Sequence, residues 1–257
     1  PCGSHPSAFA HCWTSCYPRA MRVFFAATLI LAGCSGRAGP ELHAARTDQI
    51  ERPGILAPIS DGRTIHIKCM GTGSPTVILT AGLGGSSADW VKVQPQVARI
   101  TSVCAWDRPG SGSSSKSTGR ETVVETTADL MAALKATRMK APFILVGHSL
   151  GAYETLLLTD RDSEAVVGMV LVDPSIPDQV DRLNKVAPKP VAAADKQMFD
   201  PLAISSRLVV DPKRHYGEMP VIVLTSTKLP EIPTGTPNAV TARAEFAALN
   251  AEMHRGH

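Results

Sequence analysis

Gly147-His148-Ser149-Leu150-Gly151 constrains this chain more than any other stretch, because it joins an apolar run, Phe143 to Val146, to a helix-forming run that begins at Ala152. A strand that turns abruptly into a helix crowds the Cβ atoms two residues either side of its apex. Glycine at both places removes them and leaves the serine hydroxyl exposed as a potential nucleophile. A pattern of three small residues in five positions recurs by chance, so its force comes from the strand before it and the helix after it. The competing reading is a plain structural turn.

The surrounding periodicity supports the strand–turn–helix reading. Thr76 to Thr80, Ser102 to Trp106, Phe143 to Val146, Val166 to Val172 and Val221 to Thr225 are short, nearly continuous apolar runs, which predicts five parallel strands buried on both faces. Between them Trp90, Val93, Val97 and Ile100 recur at helical spacing, as do Val123, Leu130, Met131 and Leu134. The result is an α/β chain with an open, mostly parallel, doubly wound sheet. Asp61-Gly62 separates Ile55–Ile59 from Thr64–Cys69 and predicts a hairpin of two edge strands. The stretch 174–220 breaks the rhythm with seven prolines and reads as a small inserted cap. Ala242, Phe246, Leu249 and Met253 share one helical face, so a helix is expected to close the chain.

At 257 residues, 44% hydrophobic, with a formal charge of +3 and 19% charged residues, the chain suits one well-buried domain and gives no basic face for nucleic acid. Met21-Arg22 opens a short positive segment and Val23 to Ala32 an apolar one, too short to span a bilayer. Leu31-Ala32-Gly33-Cys34 resembles the bacterial lipobox, which implies lipidation of Cys34, export and a membrane anchor. A spare thiol beside an ordinary signal peptide is the alternative. Residues 1–20 are expected to lie upstream of the true start, 21–33 to be the signal, 34–52 a flexible spacer and 53–257 the folded domain.

Four landmarks in order resemble the α/β-hydrolase superfamily: Thr80-Ala81-Gly82-Leu83-Gly84-Gly85-Ser86, Trp106-Asp107-Arg108-Pro109-Gly110-Ser111-Gly112, the elbow itself, and Leu171-Val172-Asp173-Pro174. The resemblance implies that the N–H groups of Leu83 and Leu150 form an oxyanion hole, with Ala81 where relatives usually carry histidine. It implies a bracing role for the Asp107-Arg108 pair, and it leaves His148 packed behind the elbow. The acid is expected at Asp173, with Glu231 as the alternative and a bracing role for Asp173 as the structural one. The base is expected after an eighth strand. Seven are counted, so the last strand is expected to be missing. His254 and His257 do not stand at the base's place, and His66 and His215 read as solvated or packed side chains. Low turnover is the expectation for such a chain.

The same resemblance makes the strands carrying Cys69 and Cys104 neighbours, and an exported protein meets oxidising conditions, which implies a disulfide between them. Two buried thiols are the alternative. The function implied is serine hydrolysis of a small-molecule ester through an acyl-enzyme, without metal or organic cofactor. A noncatalytic scaffold of the same fold and a cofactor-free haloperoxidase remain as alternatives. The sequence is silent on oligomeric state.

Overall fold

The computed structural model describes residues 54–226 apart from 118, 120, 180, 182–184 and 186–202, together with two helical residues at 244 and 248. The chain enters through the hairpin that Asp61-Gly62 predicts. Gly62 supplies the turn at φ 83°, its N–H donates to the Ile59 carbonyl, and Ile59 N–H donates to Arg63. Strand β1 (Ile55–Pro58) thereby pairs antiparallel with β2 (Thr64–Met70). Of these two strands β1 alone lies at the edge, because β2 pairs on its other side with β4 (Val103–Trp106). The expectation of two edge strands is corrected here: β2 alternates because helices cover one of its faces, not because it lies at the rim.

The remaining strands, β3 (Thr76–Thr80), β5 (Phe143–His148), β6 (Val166–Val172) and β7 (Val221–Leu224), run parallel. Among the described residues the sheet has seven strands in the order β1-β2-β4-β3-β5-β6-β7. From β3 the chain moves to β4 on one side and then crosses back to β5 on the other. The carboxyl ends of β3 and β5 therefore flank a topological switch point, where an open α/β sheet leaves a crevice.

Helices cover both faces. Helix α1 (Gln94–Val97) lies on one side with Trp90, over Met70, Val77, Leu79 and Val103. Helices α2 (Val123–Ala136) and α3 (Gly151–Arg161) cover the other, over Ile65, Ile67, Ile78 and Leu145. A capping box of Thr122 with Glu125 starts α2. Two expectations need correction. The spacing of Trp90, Val93, Val97 and Ile100 predicts one amphipathic helix. The structure has instead a 3-10 turn, Ser87–Trp90, followed by the four-residue α1, with Pro95 in its first turn, Val93 half-exposed and Ile100 78% exposed. Strand β7 is not buried on both faces, since Ile222 and Leu224 are exposed.

Of the stretch 174–220, residues 203–208 are helical and Val209 is buried against Val123, Leu150 and Tyr153. The predicted closing helix around Phe246 falls outside the described residues, as do Cys34, Glu231, His254 and His257.

Candidate active site

Strand β5 ends at His148 and α3 begins at Gly151, so the two residues between them make the whole turn. Ser149 sits at the apex with φ 51°, a left-handed conformation that costs a non-glycine residue roughly 1–2 kcal/mol. Three backbone hydrogen bonds hold it there. The Ser149 N–H donates to the Val172 carbonyl at 3.0 Å, while its own carbonyl accepts from Ala152 and Ser175, each at 3.0 Å. The flanking glycines are needed for contact as much as for conformation. A Cβ on Gly147 would fall 2.5 Å from the Gly151 carbonyl oxygen, and one on Gly151 would fall 2.5 Å from the Thr80 carbonyl oxygen.

The close approach of Gly151 to Thr80 brings the loop after β3 against the first turn of α3. Gly82 in that loop packs closely, since a Cβ there would lie 3.0 Å from His148 Nδ1 and 3.3 Å from Ser149 Cβ and would press on both. His148 thus packs beside the β3 loop. Among the described residues, neither the Leu83 nor the Leu150 N–H donates in a turn, loop or cap hydrogen bond. Leu83, Leu150, Arg108 and Glu154 line a cavity of about 160 Å³. Ser205 of the 203–208 helix reaches the same cavity and accepts the Val123 N–H at 3.1 Å.

Asp173 stands at the end of β6 with φ 40° and is exposed. Its N–H donates to the Leu224 carbonyl at 2.7 Å, and its carboxylate accepts the Ser226 N–H. These bonds tie the ends of β6 and β7, next to Ser175, whose N–H meets the Ser149 carbonyl.

The pair after β4 divides its work. Asp107 is buried and accepts N–H bonds from Ser87 at 2.6 Å and Ser113 at 2.9 Å, with His66 Nδ1 at 2.8 Å. Burial works to raise its pKa. The Ser113 and Ser87 donors and the facing His66 outweigh that and hold the carboxyl below its ordinary value. His66 is therefore an internal partner of Asp107 and not a solvated edge histidine. His215 lines a separate cavity of about 370 Å³ with Asp160, Arg214 and Tyr216, beside the last turn of α3.

Arg108 donates to the Ala81 and Gly82 carbonyls at 2.7 and 2.8 Å and pairs through its Nε–Nη2 edge with both carboxylate oxygens of Glu154, which is 1% exposed. Glu154 escaped the sequence reading. The available signal was an acidic residue four positions after Leu150, on a helix whose neighbouring positions Tyr153 and Leu156 are buried. Cys69 and Cys104 face each other across β2 and β4 and form a disulfide with Cα atoms 4.1 Å apart. Among the described residues no group of three or more His, Cys, Asp or Glu is arranged to hold a metal ion.

Fold and landmarks agree with the comparisons. The family model described as alpha/beta hydrolase fold matches residues 75–204, and the chain belongs to that family. It is 29% identical over 171 residues to "Uncharacterized protein YqjL" of Bacillus subtilis (strain 168), covering 65% of this chain and 68% of that protein. It is 34% identical over 102 residues to "Putative carbamate hydrolase RutD" of Klebsiella pneumoniae (strain 342), covering 39% of this chain and 38% of that one. Among solved structures, a membrane phospholipase A described as a bacterial virulence factor superposes with a TM-score of 0.54 at 16% identity. That superposition covers 80% of this chain and 79% of the other, a likeness of fold. The chain thus spans only part of the length of these relatives.

Proposed function

We propose that this protein is a serine hydrolase that cleaves a small carboxylic ester through an acyl-enzyme. The observation that carries the reading is the left-handed Ser149 at the apex of a turn braced from β6, placed beside a glycine loop at the switch point of the sheet. Strain held by three hydrogen bonds at a half-buried serine is the arrangement expected of a nucleophile and is costly for a turn with no further role.

In this reading Ser149 Oγ attacks the carbonyl carbon and its proton passes to a general base. The developing oxyanion is taken by the N–H groups of Leu83 and Leu150. The carbonyl re-forms, the C–O bond to the alcohol breaks, and the alcohol departs with the proton. Water then adds to the acyl-enzyme and releases the acid and Ser149. Asp173 is the acid of the scheme, a role supported by its place directly after β6 and two residues before Ser175, whose N–H meets the Ser149 carbonyl. The base is not assigned to a described residue. The carbamate in the RutD name points to the same kind of reaction, since carbamate and ester hydrolysis both begin at a carbonyl carbon.

The test is hydrolysis of a short p-nitrophenyl ester by the purified full chain and by Ser149→Ala. Turnover that disappears in Ser149→Ala supports the reading, whatever its rate. Turnover that persists unchanged in the variant refutes it. The same proposal tethers the domain to a membrane through a lipidated Cys34. Expression in bacteria with labelled fatty acid should mark the wild type and not Cys34→Ala, and equal labelling would remove the anchor.

A further inference from the structure

Arg108 makes no hydrogen bond to the apex serine, yet it holds the loop after β3 to the helix that starts beside it. Its Nη1 donates to the Gly82 carbonyl at 2.8 Å and its Nη2 to the Ala81 carbonyl at 2.7 Å. The other edge of the guanidinium pairs with Glu154, Nε to Oε1 at 2.5 Å and Nη2 to Oε2 at 2.8 Å. Glu154 Oε1 also accepts the Thr126 hydroxyl at 2.9 Å from α2. A guanidinium is a rigid planar fork, so satisfying a carboxylate on one side fixes the direction of the donors on the other.

The peptide that Arg108 grips at Gly82 is the one whose nitrogen belongs to Leu83. In a trans peptide the carbonyl and the N–H point in opposite directions. Drawing the Gly82 oxygen toward Arg108 therefore turns the Leu83 N–H away from the guanidinium. A second bond, from the Gly85 N–H to the Gly82 oxygen at 3.2 Å, holds the same orientation. At its other end the ion pair is anchored one helical turn from Leu150, because positions four apart share a helix face. One buried pair thus couples the loop that presents Leu83 to the helix turn that presents Leu150.

We propose that Arg108 is a positioning residue for the oxyanion hole: held by Glu154, it sets the direction of the Leu83 N–H and its spacing from the Leu150 N–H. The inference rests on the reading of Ser149 as nucleophile. It predicts an effect on the transition state and little on substrate binding, since the oxyanion forms only after attack.

The experiment replaces the pair. Arg108→Met alone leaves Glu154 buried without its partner, and such a variant can fail to fold. Arg108→Met combined with Glu154→Leu removes both charges together and is the variant expected to remain folded. With a p-nitrophenyl ester, kcat in the folded double variant should fall about 100-fold, the scale set by losing one oxyanion donor, while KM changes little. Arg108→Lys, which cannot span two carbonyls and a carboxylate at once, should show the same split. A second readout does not depend on turnover. Amide hydrogen exchange at Gly82 to Gly85 should quicken in the double variant, with the strand amides of β5 unchanged. Wild-type kcat in the double variant overturns the proposal. If the wild type shows no Ser149-dependent hydrolysis, the functional reading fails, and the exchange experiment decides alone: unchanged exchange at Gly82 to Gly85 overturns the positioning role.

Discussion

Ser149 and Val172 are joined by a backbone hydrogen bond of 3.0 Å, from the N–H of the elbow apex to the last carbonyl of β6. The bond fixes the apex from outside its own turn and keeps Ser149 in the left-handed region. Glycine at this place would remove a Cβ clash of roughly 1–2 kcal/mol and add unfolded-state freedom of about 0.5–1 kcal/mol.

Ser149→Gly is therefore expected to raise stability by roughly 0.5–1 kcal/mol, from the difference between those two effects, while abolishing hydrolysis. Urea unfolding of the two proteins measures it. A variant less stable than the wild type would mean that the apex carries no strain.

Asp107 gives a pH prediction. Its folded-state pKa lies below the ordinary 3.8 despite burial, because the Ser113 and Ser87 donors and His66 favour the charged form. The stability this contributes is fully present above the unfolded-state value, near 4, and is lost as pH falls through the lower folded-state value. Asp107→Asn is expected to be less stable than the wild type at pH 7 by about 1–3 kcal/mol, the cost of losing charge-assisted bonds in a buried place. The gap should close below about pH 4. Denaturant melts from pH 7 to pH 2 check it, and a gap of constant size to the acid end would contradict the assignment.

The Cys69–Cys104 bridge spans a sequence separation of 35, and closing a loop of that length removes unfolded-state entropy worth about 3–4 kcal/mol. Cys69→Ala with Cys104→Ala is expected to lower the melting temperature of oxidised protein to that of the reduced wild type. Calorimetry with and without reductant tests it. Identical melting of oxidised and reduced wild type would show that the bridge does not form in solution.

The parts of this fold most legible in the sequence are those fixed by local spacing. Thr76 to Thr80 and Val166 to Val172 announce themselves because strands covered on both faces need unbroken apolar runs. Gly147 and Gly151 announce the elbow because no other residue fits against the Gly151 and Thr80 carbonyls. Legibility ends where partners lie far apart in sequence. Arg108 and Glu154 are 46 positions apart, and nothing local marks either as the other's partner. The Trp90 to Ile100 spacing misled for a different reason: a regular apolar period is necessary for a buried helix, but here the chain makes two short turns and leaves Ile100 in solvent. For the candidate site, a carboxylate at the end of β6 was legible. Its bond to the Ser226 N–H was not, because that pairing depends on how β6 and β7 end side by side.

The most direct test of the central claim is covalent labelling of the full chain with a fluorophosphonate, which reacts with an activated serine, followed by peptide mass spectrometry. The account predicts one adduct, on the peptide containing Ser149, absent from Ser149→Ala and blocked by prior incubation with a short ester. No adduct on that peptide, or labelling of equal extent in Ser149→Ala, would contradict it.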